Sequence, residues 1–191
     1  SSYGKEESWY ILATRPGGRI FYGFKDGVTM EQFEKAIVES ENSKTVMEDL
    51  LESFEVKPGD VIYIPAKMVH AIGAGCLLLE VQEPSDFTVQ PERWCGDYKL
   101  SDNEMYLGLD KDTAMECFDV VKKYPAPLEP VTISDEDGVK YLSFIDERMT
   151  TSFTVRKIEL SGGEFSLDNG ARIYVVTEGE GKITGDGYEK P

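Results

Sequence analysis

The sequence predicts a mainly β protein: a jelly-roll barrel with a helical insertion, followed by a second β domain. Three observations carry this reading. Short β-branched and aromatic runs recur along the chain, separated by Gly, Pro, Asp and Asn turns. One run, VIYI at positions 61–64, is apolar throughout, as a strand covered on both faces must be. Helix-period apolar spacing is confined to about residues 29–54 and to a segment after Asp110.

The elements follow in order. WYILAT (9–14) and RIFYGF (19–24), joined through Pro16-Gly17-Gly18, read as a hairpin-like pair. Thr29 opens a helix with Gln32 as its capping-box partner, and Phe33, Ile37 and Val38 share one face. Ser43 starts a second helix, with Val46, Met47, Leu50 and Leu51 as its apolar stripe. Strand character resumes at Glu55, turns at Pro58-Gly59, runs through VIYI, and returns as CLLLEVQ (76–82). A polar, Pro-bearing loop then reaches about Gly108, and Asp110 caps a helix facing inward through Ala114, Met115, Phe118 and Val121.

YPAPLEP (124–130) reads as a linker. Beyond it, residues 141–145, 153–160, 172–177 and 181–184 read as short strands of a sandwich or barrel. The expected organisation is a barrel over 1–108, a helix and Pro-rich linker over 109–131, and an incomplete β domain over 132–191.

Bulk composition narrows the partners. The net charge of −16 argues against nucleic acid and anionic membranes. It also repels a phosphorylated substrate at long range, so a phosphate site would be built locally from a few Lys or Arg. Cys76, Cys95 and Cys117 are odd in number and lack CxxC spacing, which favours a reducing, cytoplasmic setting. There is no 18-residue apolar run and no signal-like opening. The first residue is not Met and the last few directly follow strand-like sequence, so both ends read as cut.

The sequence holds one histidine, His70, in PAKMVHAIGAG. With Gly59 and Pro65 it forms G-x5-P-x4-H, in which the buried strand ends at the barrel mouth and the turn aims the imidazole inward. A lone His beside apolar neighbours also suits a hydrogen-bonded core role. As a metal ligand it needs company, and the best candidate is Glu7, at the start of the first strand. Glu6 and Glu7 point to opposite faces of an extended segment, so only one faces in. A carboxylate and an imidazole suit zinc, but a catalytic zinc takes three protein groups and two are too few.

YGKEESWYIL, FYGFKDGVTMEQF, VKPGDVIYIPAKMVHAIGAGCLLLEVQEPSD and GLDKDTAMECFDVV together are similar to the class I mannose-6-phosphate isomerases, zinc enzymes of the cupin superfamily. The resemblance covers about residues 3–123, and the remainder fits that family's C-terminal β domain more loosely. It implies a cupin-type jelly roll and one Zn2+ per chain, held by a Gln and His of Q-x-H, a Glu of K-x-E and the His of P-A-x-x-x-H. Glu7 and His70 match the last two, and the Q-x-H pair would lie outside this sequence. Lys5 matches the Lys of K-x-E, which the family places at the substrate. Asp86 matches the Asp of its S-D segment, which shapes the site or moves a proton.

Two departures stand out. Gln90 occupies a position where the family often has Arg, and Arg93 would have to substitute from a shifted loop. Lys67 stands where Gly is common. Trp94 offers a stacking surface for a sugar, or simply a structural aromatic.

The implied activity is interconversion of mannose 6-phosphate and fructose 6-phosphate through a cis-enediol. Lys5 and Arg93 would balance negative charge, and the base lies between Asp86 and a group outside the sequence. The competing expectation, favoured by Gln90, is a cupin that binds a sugar or sugar phosphate without chemistry. A third is an isomerase for another phosphorylated sugar.

Overall fold

The computed structural model describes residues 4–168, 170–185 and 188–190. Six strands build the barrel: β1 (Glu7–Thr14), β2 (Arg19–Phe24), β3 (Leu51–Glu55), β4 (Val61–Ile64), β5 (His70–Ile72) and β6 (Cys76–Gln82). They form two antiparallel three-stranded sheets, ordered β4-β1-β6 and β3-β2-β5.

The expected pairing of the first two strands is therefore corrected. β1 and β2 lie in different sheets, and the Pro16-Gly17 turn carries the chain across the sandwich. Gly18 N–H bonds to the Arg15 carbonyl within the turn, and Arg15 N–H ties it to the Gly75 carbonyl just before β6. Both strands are rich in buried residues, and each forms the centre of its own sheet. A central strand needs two partners, which a simple hairpin cannot supply.

The inward faces pack Trp9, Ile11, Ile20, Tyr22, Ile62 and Ile64 into one core. The outward face of β4 is buried too. Val61 and Tyr63 pack against Leu142, Phe144 and Ile145 of a third sheet. This explains why the whole VIYI run is apolar: all four residues are buried, alternately against two cores.

A helical lobe covers one end. Its helix α1 (Met30–Glu39) opens with the expected capping box, Thr29 Oγ1 accepting from Gln32 N–H and Gln32 Oε1 accepting from Thr29 N–H. Phe33, Ala36 and Ile37 are buried, whereas Val38 is 66% exposed and off the buried face. The second expected helix shrinks to one 3-10 turn, Glu48–Leu50, and Leu51 already begins β3. Met47 and Leu51 are buried in the lobe core all the same. Packing rather than helical period accounts for their apolar character.

The loop expected to run from after Gln82 through Trp94 to about Gly108 contains structure. It holds β7 (Trp94–Cys95), β8 (Tyr98–Lys99) and the short helix α2 (Asp102–Tyr106). Ser101 and Glu104 cap α2 reciprocally. Asp110 caps α3 (Lys111–Met115) as expected, accepting from Thr113 N–H. That helix ends before Phe118, and Val121 is exposed.

The segment 124–130 has no regular structure. It is nevertheless pinned to the barrel, by Leu128 N–H to the Val61 carbonyl and by Tyr124 edge-on to Tyr63. Beyond it, β9 (Val131–Glu136), β10 (Val139–Ile145) and β11 (Val155–Leu160) form an antiparallel sheet in the order β11-β10-β9. β12 (Ile183–Gly185) and β13 (Tyr188–Lys190) form a small hairpin. The strand expected over 172–177 is absent: Ile173 is 95% exposed and Val176 largely so. No described strand lies alongside it, and β-branched residues alone do not make a strand without a ladder partner.

Candidate functional site

Strand alternation at the start of β1 sorts the two glutamates. Glu7 shares the inward face with Trp9 and Ile11, while Glu6 turns outward with Tyr10. Glu7 is 5% exposed. One carboxylate oxygen, Oε1, lies 2.7 Å from Lys5 Nζ. The other, Oε2, lies 3.2 Å from His70 Nε2. Three residues singled out from the sequence thus converge.

His70 reaches this point from the opposite sheet, where it pairs across β2 with Tyr22. Its ring is held from two sides. Nδ1 lies 2.8 Å from the Met68 carbonyl, and Trp9 packs edge-on at 5.4 Å between centroids. The turn that presents Met68 is tight. Lys67 sits at φ +70°, the left-handed region, where a side chain is disfavoured. That geometry would suit Gly, the residue expected there from the resemblance. Gly4 packs so closely on Ala66 that a Cβ there would lie 2.6 Å from the alanine methyl. The K-x-E segment and the P-A-K turn are therefore seated directly on each other.

The electrostatics at Glu7 are a contest. Burial pushes its carboxyl up, but the close contacts and charges of His70 and Lys5 outweigh that and hold it at about 2. The imidazole sets a second constraint. A carbonyl only accepts, so Nδ1 facing the Met68 carbonyl carries the proton. The other ring nitrogen, Nε2, lies beside the Glu7 carboxylate as a close contact without hydrogen-bond alignment. An imidazole nitrogen and a carboxylate oxygen are zinc-type donors, so the pair fits part of a zinc site. Among the described residues no cluster of three or more His, Cys, Asp or Glu side chains forms a metal cage.

Sequence reasoning missed two neighbours. Gln82 stands directly across from Glu7 in the β1–β6 register, and its Oε1 accepts from Lys5 Nζ at 2.8 Å. Glu80 stands across from Trp9 and accepts the indole N–H at 3.0 Å. The alternation in CLLLEVQ already placed Leu78, Glu80 and Gln82 on one face. The missing signal was the register that set this face beside Glu7.

The other sequence candidates make no contact with the Lys5–Glu7–His70 array among the described residues. Asp86 is exposed in the loop after β6, and no hydrogen bond to its carboxylate occurs among the described residues. Arg93 is committed to the helical lobe. Its Nη1 donates to the Leu100 carbonyl, Nη2 to Asp102 at 2.6 Å, and Nε lies 3.1 Å from Glu41. The Nε contact is an ion pair without hydrogen-bond alignment. Gln90 turns its amide onto the Glu92 and Trp94 carbonyls of its own loop. Trp94 donates to the Ser40 carbonyl and lies under Lys44 and Lys99. Each of these contacts is a structural role for the residue named.

Two facing three-stranded sheets with a carboxylate–imidazole pair between them define a cupin-type barrel. The comparisons with known proteins agree, and they narrow the likeness to the mannose-6-phosphate isomerases. Mannose-6-phosphate isomerase ManA of Bacillus subtilis is 32% identical over 98% of this chain and 56% of its own length. Mannose-6-phosphate isomerase of Streptococcus mutans is 28% identical over 95% of this chain and 53% of its own. The crystal structure of the Bacillus subtilis mannose 6-phosphate isomerase superposes with a TM-score of 0.64 and 28% identity, covering 83% of this chain and 46% of that one. No family model matches the sequence. The chain spans about half the length of the curated relatives it matches, and its likeness to mannose-6-phosphate isomerases extends over nearly all of its own.

Proposed function

We propose that this chain supplies one side of a zinc-dependent aldose–ketose isomerase site, acting on mannose 6-phosphate and fructose 6-phosphate through a cis-enediol. The observation that carries the reading is the Lys5–Glu7–His70 array, in which a buried carboxylate and an imidazole come together from two different sheets. Glu7 and His70 would hold one Zn2+, with further ligands outside this sequence. Bound zinc would polarise the substrate oxygens at the reacting carbons.

The chain's own residues do the rest. Glu7 is held ionised, as a ligand must be. The Met68 carbonyl fixes the His70 tautomer and leaves Nε2 free to ligate. Lys5 offers a fixed ammonium where negative charge develops on the sugar during proton transfer. Trp9 is buried and walls the site on the barrel side against the His70 ring. Asp86 and a group outside this sequence remain the candidates for the base.

A second reading, a cupin that binds sugar phosphate without turnover, has one observation in its favour. Gln90 is uncharged and Arg93 is engaged in the helical lobe, so the expected arginine has no evident replacement. Zinc analysis and a coupled isomerase assay on the full-length protein decide between them. Turnover with about one zinc per chain, lost in Glu7→Gln and His70→Ala, supports the isomerase. Saturable binding of mannose 6-phosphate without turnover, in zinc-loaded protein, overturns it in favour of the binding module.

A further inference from the structure

An ammonium carries three N–H donors. Lys5 spends one on Glu7 Oε1 at 2.7 Å and a second on Gln82 Oε1 at 2.8 Å. A third remains, on a side chain only 15% exposed. We propose that Gln82 is a positioning residue, whose side-chain carbonyl fixes the Lys5 ammonium so that its remaining N–H meets an oxygen of the bound sugar phosphate. The inference rests on Lys5 being the substrate-facing cation proposed above.

The register makes Gln82 suited to this role. It lies directly opposite Glu7 on the neighbouring strand, so the two acceptors project side by side from one face of the sheet. Lys5 precedes β1 and is in no ladder, so pairing does not set the direction of its side chain. A lysine has four rotatable bonds and a compact charge that any single carboxylate leaves free to swing. Two acceptors fixed by adjacent strands define its position where one would not. A glutamine supplies the second acceptor without adding charge. A glutamate would set another carboxylate beside Glu7, compete for the ammonium and repel an anionic ligand.

The test uses the full-length, zinc-loaded protein and its Gln82→Ala and Gln82→Glu variants. Three quantities are read: zinc per chain, kcat and KM for mannose 6-phosphate, and the rate at which an N-hydroxysuccinimide ester acylates Lys5, followed by peptide mass spectrometry. Gln82→Ala is expected to retain zinc and melting temperature. Its Lys5 should acylate several-fold faster, with weaker protection by mannose 6-phosphate. Its kcat/KM should fall about ten- to a hundredfold, the worth of one hydrogen bond to a charged group. Gln82→Glu should keep Lys5 slow to acylate but raise KM.

Unchanged acylation of Lys5 in Gln82→Ala overturns the proposal, as does faster acylation with undiminished kcat/KM. If the wild-type protein proves not to isomerise, acylation and its protection by mannose 6-phosphate decide alone. Faster labelling and lost protection in Gln82→Ala then support the positioning role, while the isomerase reading falls.

Discussion

Glu6 and Glu7 are neighbours in the chain, and each is clamped by several donors, yet their partners are of different kinds. Glu6 faces outward and accepts from hydroxyls: Tyr63 at 2.6 Å, Ser152 at 3.1 Å, and Thr150. Glu7 faces inward and meets nitrogen groups, Lys5 and His70. The first set is satisfied. Neutral hydroxyls give a carboxylate its hydrogen bonds, and Thr150 and Ser152 come from the loop before β11, so the contact ties the third sheet to the barrel. The second set is all nitrogen: the Lys5 ammonium lies against one oxygen and the His70 imidazole against the other. Burial alone does not distinguish the two carboxylates; the chemistry of their partners does.

The largest expected effect follows from this contrast. Glu7→Gln keeps the shape of the side chain but removes its negative charge and replaces one acceptor oxygen with an NH2 donor. It should lower zinc affinity and isomerase activity by more than about a hundredfold, beyond what loss of an outer-shell partner costs. Glu6→Gln, one residue away, should keep full zinc occupancy and change activity by less than a few fold. Metal analysis of the two purified variants checks both statements. Comparable zinc loss in both would break the comparison, because the outward face would then be part of the site.

The next effect concerns the sheet that separates the two faces. Ile62 points into the barrel and Ile145 into the core on the other side, and both are fully buried. Ile62→Ala and Ile145→Ala should each cost about 2–5 kcal/mol in denaturant unfolding. Val38→Ala, on the exposed flank of α1, should change stability by less than about 0.5 kcal/mol. A small loss for Ile145→Ala alone would mean that the third sheet unfolds separately from the barrel.

Much of this was legible in the sequence, and the illegible part has physical causes. The apolar VIYI run announced two-sided burial because a strand's alternation disappears only when both faces are covered. Thr29 and Gln32 announced a helix start because a capping box is a local bond pattern. Glu7 and His70 were legible as residues, yet Gln82 was not, since its role depends on which strand lies beside β1. The same ignorance of pairing turned β1 and β2 into a hairpin and gave residues 172–177 a strand. Local chemistry survives translation from sequence, whereas non-local pairing does not. Arg93 shows this from the other side: its charge suited the site, but Asp102 and Glu41 claim it.

A smaller effect sharpens the outward half of the comparison. Burial pushes the Glu6 carboxyl up, but the Thr150, Tyr63 and Ser152 hydroxyls outweigh it and hold it below the ordinary 4.5. A depressed folded value means that this contribution is fully present above the unfolded value. It is lost as pH falls below about 4.5 and through the folded value. Melting temperature should therefore drop on acidification across that window, and Glu6→Gln should flatten that part of the drop. Thr150→Val, which removes one donor, should cost about 1 kcal/mol at neutral pH. An unchanged acid profile in Glu6→Gln would show that other carboxylates dominate there.

The smallest effect lies in the turn beneath His70. Lys67 holds φ +70°, which costs a side-chain-bearing residue about 1–2 kcal/mol, while glycine adopts it freely and loses about 0.5–1 kcal/mol more entropy on folding. The difference favours Lys67→Gly by about 0.5–1 kcal/mol, a rise of about 1–4 °C in melting temperature for a chain of this size. The backbone of the turn does the positioning, through the Met68 carbonyl on His70 and the Ala66 methyl under Gly4. Zinc content should therefore be unaffected. A more stable Lys67→Gly protein with normal zinc but a raised KM for the sugar phosphate would place the Lys67 ammonium beside the ligand. It would then join Lys5 as a local cation on a surface whose net charge is −16.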